Sequence, residues 1–135
     1  MQSILRISDA AAIALHTADY LAGQKKSLSS AGEIAKSLGV SYNHLSKVLQ
    51  QLAKAGLVAA ARGPKGGFAL SPSGRKAKIV SFIAATDGPP SMKACLLKHK
   101  VCGDRGCLFG DFLSETSRNF ETLLNGRLPD FSKRR

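Results

Sequence analysis

Hydrophobic residues near the start of the chain recur every three or four positions, the spacing of an amphipathic helix. Ser8 or Asp9 can cap a first helix that runs to about Leu21 and ends at Gly23. A second, short helix starts at Ser29 or Ser30 and closes at Gly39. Ser41 then caps a third helix, which ends at Gly56. Its apolar positions keep the same spacing: Leu45, Val48, Leu49 and Leu52.

The pattern changes after Gly56. Residues 57–61 and 68–70 are short apolar runs separated by the Gly- and Pro-rich segment 62–67, which is typical of a β-hairpin. A fourth helix is predicted to begin within residues 71–73 and to end where Asp87 is followed by Gly-Pro-Pro.

A loop from about Ser91 to Cys107 comes next, and a last helix is predicted from about Leu108 to Asn125, before a basic tail. That helix has one apolar stripe, which favours pairing with a second copy of the chain. The stripe comprises Phe109, Phe112, Leu113, Thr116, Phe120, Leu123 and Leu124.

The order of elements predicts a mainly α fold with a small β-hairpin wing, a winged helix-turn-helix followed by a long C-terminal dimerisation helix. The expected division is a DNA-binding domain at 1–86, a cysteine-bearing sensor loop at 87–107, and the dimerisation helix with its tail at 108–135.

Charge narrows the choice of partner. The chain of 135 residues has a net charge of +11, and the segment between Glu33 and Asp87 contains no acidic residue. Such an excess predicts a polyanionic partner, with nucleic acid preferred over an anionic membrane surface. No apolar run is long enough to span a bilayer, and the N-terminus lacks the layout of a signal peptide. We therefore expect a cytoplasmic protein without a membrane partner.

The third helix begins with small polar side chains, as expected of a recognition helix that contacts base edges. The alternative is that Ser41 and Asn43 only cap the helix and that Tyr42 packs in the interior. The basic hairpin tip suits phosphates or a narrow minor groove. The candidate DNA-binding residues are Ser41, Tyr42, Asn43, His44, Ser46 and Lys47 in the helix, with Arg62 and Lys65 in the wing.

All three cysteines, Cys95, Cys102 and Cys107, lie within thirteen residues of one another. Closely spaced thiolates in a reducing compartment suit a soft metal or an iron–sulfur cluster. The spacing Cys-x6-Cys-x4-Cys is not that of a zinc finger. From the residues alone, the loop could also be a thiol redox switch in which two cysteines pair and one remains.

Two segments, Val40 to Val58 and Arg62 to Leu70, resemble the IscR/NsrR family of winged-helix regulators. The wing residues Arg62-Gly63 and Gly66-Gly67 are the most specific part of this similarity. The resemblance implies a dimeric regulator of double-stranded DNA operators, most commonly a repressor. The family's base-contacting positions fall on Asn43, His44, Ser46 and Arg62.

Members of that family that sense iron–sulfur status, nitric oxide or redox state carry three cysteines in this loop. The resemblance therefore implies a two-iron or four-iron cluster held by Cys95, Cys102 and Cys107. In the family a fourth ligand often comes from the partner's first helix, where this chain has Ala12 at the usual acidic position. The remaining candidates are Asp9, His16 and His99, although His16 is equally compatible with a hydrogen-bonded core histidine.

Two alternatives to a cluster regulator stay open. The same DNA-binding fold could carry a zinc or disulfide switch, or a basic protein could bind nucleic acid without sensing anything. An enzyme is not expected, because the sequence shows no phosphate loop, no Ser/His/Asp order and only 9 acidic residues.

Overall fold

The computed structural model describes residues 7–90, 97 and 101–128. Within these ranges the chain forms six α-helices, a β-hairpin and one turn of 3-10 helix at Gly103–Arg105. The elements in order are α1 (Asp9–Ala22), α2 (Ala31–Leu38), α3 (Tyr42–Lys54), β1 (Val58–Ala61), β2 (Gly67–Leu70), α4 (Pro72–Lys76), α5 (Ile79–Asp87) and α6 (Phe112–Leu124). None of the described helices is long and apolar enough to cross a membrane.

The first helix is held at its N-terminus by three linked hydrogen bonds. The Ser8 hydroxyl accepts from the backbone N–H of Ala11 at 3.1 Å, as a capping side chain does. The backbone N–H of Ser8 donates to the Asp87 carboxylate at 3.3 Å, and the Ser8 hydroxyl donates to the same carboxylate. The end of α5 is therefore fastened to the start of α1.

The helices of the helix-turn-helix begin and end at the predicted capping residues. Ser30 caps α2, and Gly39 ends it in the left-handed conformation at φ 67°. The backbone N–H groups of Gly39 and Val40 donate back to carbonyls of the last turn, closing the α2 end before α3 begins. On α3 the buried side chains are those that the apolar spacing predicted: Leu45, Val48, Leu49 and Leu52.

The hairpin is antiparallel, with Val58 opposite Leu70 and Ala61 opposite Gly67. Its second strand also pairs with the residue that precedes the α2 cap. The Ser29 N–H donates to the Phe68 carbonyl at 2.9 Å, and the Phe68 N–H donates to the Ser29 carbonyl at 2.7 Å. Backbone hydrogen bonds therefore attach the wing directly to the helix-turn-helix.

The prediction of a single fourth helix is wrong. Two helices, α4 and α5, replace it because the intervening Ala77 and Lys78 are extended, with ψ 152° and 153°. This short extended segment pairs with the residues after α6: Lys78 forms a β-bridge with Arg127, and the Ile79 N–H donates to the Gly126 carbonyl at 2.9 Å.

Two smaller boundaries also differ from expectation. The last helix starts at Phe112 rather than Leu108, because the chain turns through Gly110 at φ 61° and the Gly110 N–H donates to the Cys107 carbonyl. The first strand starts at Val58 rather than Leu57, although the Ser71 N–H at the start of α4 still donates to the Leu57 carbonyl in the register of the hairpin.

The main core is built from α1, α2, α3, the hairpin and Phe82 of α5. A second cluster joins α1, α5 and α6 through Ala11, Ile83 and Leu124, with Phe120 packed against it. The first helix contributes side chains to both clusters, so α3 and the hairpin on one side and α6 on the other all pack against α1.

We predict that Gly67→Ala destabilises the fold by about 1–3 kcal/mol, the usual range for overpacking. A Cβ at Gly67 would lie 2.7 Å from the Ser29 backbone oxygen, and both groups belong to the pairing that holds the wing. Chemical denaturation monitored by circular dichroism measures the change.

Gly32→Ala is the matched control. Gly32 is an exposed position inside α2, where an added Cβ meets only the Ser30 hydroxyl at an ordinary 3.9 Å. Helix propensity then predicts a small gain in stability. Equal stability of the Gly67→Ala variant and the parent would contradict the role given to the wing attachment.

Candidate nucleic-acid interface and cysteine loop

The start of α3 is exposed and hydrogen-bonded as a helix N-terminus should be. The Ser41 hydroxyl accepts from the His44 backbone N–H at 3.1 Å, so Ser41 does cap the helix. Tyr42 has 59% of its surface exposed, and the alternative that it packs in the interior is wrong. Asn43 is exposed as well.

The remaining candidate side chains on α3 differ in how far they are exposed to solvent. Lys47 is exposed, whereas His44 and Ser46 are half-buried. The centre of the outward face therefore lies along Asn43 and Lys47, with His44 and Ser46 at its sides.

Two further residues on this face were missed from the sequence. Gln50 and Lys54 are exposed and continue the line of Asn43 and Lys47 at the spacing i, i+4, i+7, i+11. The signal was present in the sequence, because the buried positions of α3 define an opposite face on which these four residues fall.

The tip of the wing presents its two basic side chains to solvent. Arg62 and Lys65 are both exposed, and the Gly66 N–H donates to the Gly63 carbonyl at 2.9 Å to close the turn. Gly63 has φ 105°, and a Cβ at Gly66 would collide with the Ala61 carbonyl. The turn thus needs glycine at both positions to place Arg62 and Lys65 at its tip.

The acid-free segment between Glu33 and Asp87 presents its positive charge on the surface. All eight of its cationic side chains are exposed: Lys36, Lys47, Lys54, Arg62, Lys65, Arg75, Lys76 and Lys78.

One salt bridge lies at the edge of this surface. Lys26 and Glu33 are joined at 2.8 Å, and their hydrogen bond raises the pKa of Lys26 and lowers the pKa of Glu33. The last acidic residue before Asp87 is thereby paired with a cation outside the acid-free segment.

Two of the three cysteines belong to the described chain. Cys102 is half-buried and Cys107 is exposed, and both are free thiols on either side of the 3-10 turn Gly103–Arg105. Cys95 and His99 lie outside the described residues. The left-handed glycines Gly103 and Gly106, at φ 57° and 76°, fold the chain between the two thiols. Two accessible sulfur donors on a tight turn fit the requirements of a soft metal or an iron–sulfur cluster.

The candidate fourth ligands on α1 are at the surface. Asp9 and His16 are both exposed, so the interpretation of His16 as a core histidine is wrong. His16 lines a shallow surface pocket with Asp19, Tyr20, Gly23, Gln24 and Leu38. Among the described residues of one chain, no three His, Cys, Asp or Glu side chains are grouped closely enough to hold a metal ion.

The apolar stripe of α6 is divided between two environments. Leu113 and Leu124 are buried and Phe120 is half-buried, whereas Phe112 is 62% exposed and Leu123 is 47% exposed. The exposed apolar surface continues before the helix at Leu108 and Phe109. One side of the stripe thus packs on the chain's own core, and the other faces solvent.

A family model described as Rrf2, iron-dependent transcriptional regulator, matches residues 7–128. The chain belongs to the Rrf2 family. Its relatives are transcriptional regulators, which confirms the expectation that it is not an enzyme.

Curated relatives of known name agree with this assignment. The chain is 32% identical over 93 residues to the HTH-type transcriptional regulator IscR of Vibrio campbellii, covering 69% of this chain and 55% of that protein. It is also 32% identical over 80 residues to the putative HTH-type transcriptional regulator BadM of Rhodopseudomonas palustris, covering 59% of this chain and 51% of that protein. The chain thus spans about half the length of the curated relatives it matches.

Solved structures confirm the predicted winged-helix fold. CymR of B. subtilis, described as its global cysteine regulator, superposes with a TM-score of 0.74 at 22% identity, covering 96% of this chain and 97% of that one. IscR of T. potens superposes with a TM-score of 0.69 at 24% identity, covering 96% and 87% of the two chains.

Proposed function

We propose that this protein is a homodimeric transcription regulator that binds operator DNA through α3 and the wing, and that it acts as a repressor, the commoner mode in its family. We further propose that an iron–sulfur cluster held by Cys95, Cys102 and Cys107 controls this binding. The observation that carries the proposal is the outward face of α3, where a capped N-terminus presents amide, hydroxyl and lysine groups opposite a fully apolar buried face.

The roles of the DNA-facing residues follow from their chemistry. The exposed Asn43 can form paired hydrogen bonds with a base edge in the major groove, whereas Lys47 and Lys65 provide point charges for phosphates. Arg62 on the glycine-rich tip suits a narrow minor groove. The attachment of β2 to Ser29 keeps helix and wing in a fixed relation, so both contact the duplex together.

We predict that Lys47→Ala and Arg62→Ala weaken binding to a duplex selected by the full chain from a randomised pool. Loss of the Lys47 phosphate contact should lower the magnitude of the slope of log K against log salt by about one, whereas loss of the Arg62 minor-groove contact should mainly lower the affinity. Fluorescence anisotropy at several salt concentrations measures both quantities.

Arg118→Ala is the control, because Arg118 is an exposed cation on α6 that changes the net charge by the same amount. Its affinity and salt slope should stay close to those of the parent. Equal losses in all three variants would mean that net charge, rather than α3 and the wing, governs binding.

The cysteine loop is the proposed sensor. Cys102 and Cys107 would hold the cluster together with Cys95, and the exposed Asp9 or His16 of the partner subunit, or His99 of the loop itself, would complete its ligands. A bound cluster would supply a group whose gain, loss or oxidation reports on iron–sulfur status, nitric oxide or oxidant. The sensor loop begins at Asp87, which is hydrogen-bonded to Ser8, so we expect a change in the loop to act on the start of α1.

We predict that the anaerobically purified protein is brown and contains iron and acid-labile sulfide, and that Cys102→Ser or Cys107→Ser removes both. Asp104→Asn, between the two cysteines on the same turn, is the control and should retain them. Visible absorption with iron and sulfide assays provides the measurement. A colourless parent that takes up no iron under these conditions would contradict the cluster.

A thiol switch is the second candidate, and the exposure of Cys107 favours it. A solvent-accessible thiol is open to oxidants and to disulfide exchange. In that case the protein would be colourless, and iron would not affect its DNA binding. A disulfide switch would form an oxidant-dependent disulfide that mass spectrometry detects, whereas a zinc switch would contain bound zinc.

The exposed half of the α6 stripe is the proposed dimer surface. Phe112 and Leu123 lie about three turns apart on one side of the helix and expose apolar area that a second copy would bury. Pairing through α6 is expected to place two recognition helices on successive turns of the duplex.

We predict that Phe112→Ser combined with Leu123→Ser raises the dimer dissociation constant by roughly 30-fold or more, the effect of losing about 2 kcal/mol at an apolar interface. Light scattering after size-exclusion chromatography measures it. Arg118→Ala, on another face of α6, should leave the dimer intact. A parent protein that is monomeric at micromolar concentration would contradict the proposal outright.

A further inference from the structure

We infer that Asn43 and Gln50 act as a pair, each recognising one adenine, and that the two adenines lie about three base pairs apart in each half-site. This inference rests on the proposed DNA-binding function and extends it to the sequence that is read. It assigns a specificity role to Gln50, which the candidate residues derived from the sequence did not include.

The geometry of α3 singles out these two amides. Leu45, Val48, Leu49 and Leu52 are at most 1% exposed and define the inner face of the helix. The face directly opposite carries Asn43, Lys47, Gln50 and Lys54, so each amide is followed by a lysine one turn further on. Within the described residues, no hydrogen bond engages the side chain of Asn43 or Gln50.

The chemistry of amides favours adenine. The carboxamide of Asn or Gln can accept from adenine N6 and donate to adenine N7 at the same time, which no other base edge in the major groove permits. The sequence of α3, Tyr-Asn-His-Leu-Ser-Lys-Val-Leu-Gln-Gln-Leu-Ala-Lys, contains no arginine and no acidic residue. The helix therefore has no arginine to read guanine and no carboxylate to read cytosine. With its lysines assigned to phosphates, its two outward-facing amides are the side chains that can form paired hydrogen bonds with a base.

The spacing of the amides sets the spacing of the bases. Seven residues separate Asn43 from Gln50, which corresponds to about 10 Å along the helix axis at 1.5 Å per residue. Base pairs in B-DNA rise by about 3.4 Å, so side chains this far apart meet bases about three steps apart when the helix follows the groove. Lys47 lies between the two amides and is placed to contact a phosphate.

Gln51 provides a matched control within the same helix. It is the same residue type, it is exposed and it neighbours Gln50, but it lies about 100° further round the helix, away from the line of Asn43 and Gln50. If exposure of an amide were sufficient, Gln50 and Gln51 would be equivalent. If the outward face matters, only Gln50 reads a base.

The experiment selects duplexes from a randomised pool with the parent chain and with the variants Asn43→Ala, Gln50→Ala and Gln51→Ala. The parent should enrich two adenines on one strand of each half-site, about three positions apart. Asn43→Ala and Gln50→Ala should each lose the preference at one of these positions, and Gln51→Ala should keep both. Replacing the Gln50-dependent A·T pair by G·C should weaken the parent about 5- to 100-fold and leave Gln50→Ala nearly unchanged.

A second variant gives a positive readout. Because a carboxylate accepts from cytosine N4, Gln50→Glu should shift the preference at that single position from adenine towards cytosine. Unchanged preferences in both Gln50→Ala and Gln50→Glu, with selective binding retained, would overturn this inference and leave the DNA-binding proposal intact. A parent that enriches no sequence at all would instead overturn the proposed function.

Discussion

The burial of one face of α3 is the constraint on which the rest of the molecule depends. Four aliphatic side chains, Leu45, Val48, Leu49 and Leu52, anchor this helix in the main core and remain at most 1% exposed. A helix fixed so firmly cannot rotate about its own axis without exposing these side chains to water, at a cost of about 1.5–3 kcal/mol for each one. The direction of its polar face is therefore set by the core rather than by any contact with DNA.

Close backbone approaches extend that rigidity to the wing and to α4. Gly67 lies against the Ser29 carbonyl and Gly74 against the Leu57 carbonyl, at distances that leave no room for a Cβ. The Asp87 carboxylate likewise joins the end of α5 to the start of α1. The DNA-facing elements and the beginning of the cysteine loop are thus connected through backbone hydrogen bonds and one carboxylate.

Much of the fold was predictable, because over residues 8–70 the helix-capping residues and the apolar spacing indicate the same helices and strands that the core packing stabilises. The serines at 8, 30 and 41 cap helices, and the apolar spacing of α3 identified its buried face. The split between α4 and α5 was not predictable, since it depends on pairing between Lys78 and Arg127, residues far apart in sequence. The late start of α6 likewise depends on Gly110, whose left-handed conformation no periodicity reveals. Within the candidate site, the polar residues of the first turn do not indicate Gln50, which belongs to the DNA-facing side of α3 only through the helical period. The exposure of His16 could not be foreseen from an amphipathic pattern.

The acid-free segment has a consequence for kinetics. Eight exposed cations without an intervening carboxylate attract any duplex, whatever its sequence, and release counterions on contact. In a cell, most copies of such a protein would be bound non-specifically to chromosomal DNA rather than free in solution. Its search for a target would then proceed by sliding and hopping along the duplex, and the time to find one site would depend on ionic strength as well as on the number of molecules.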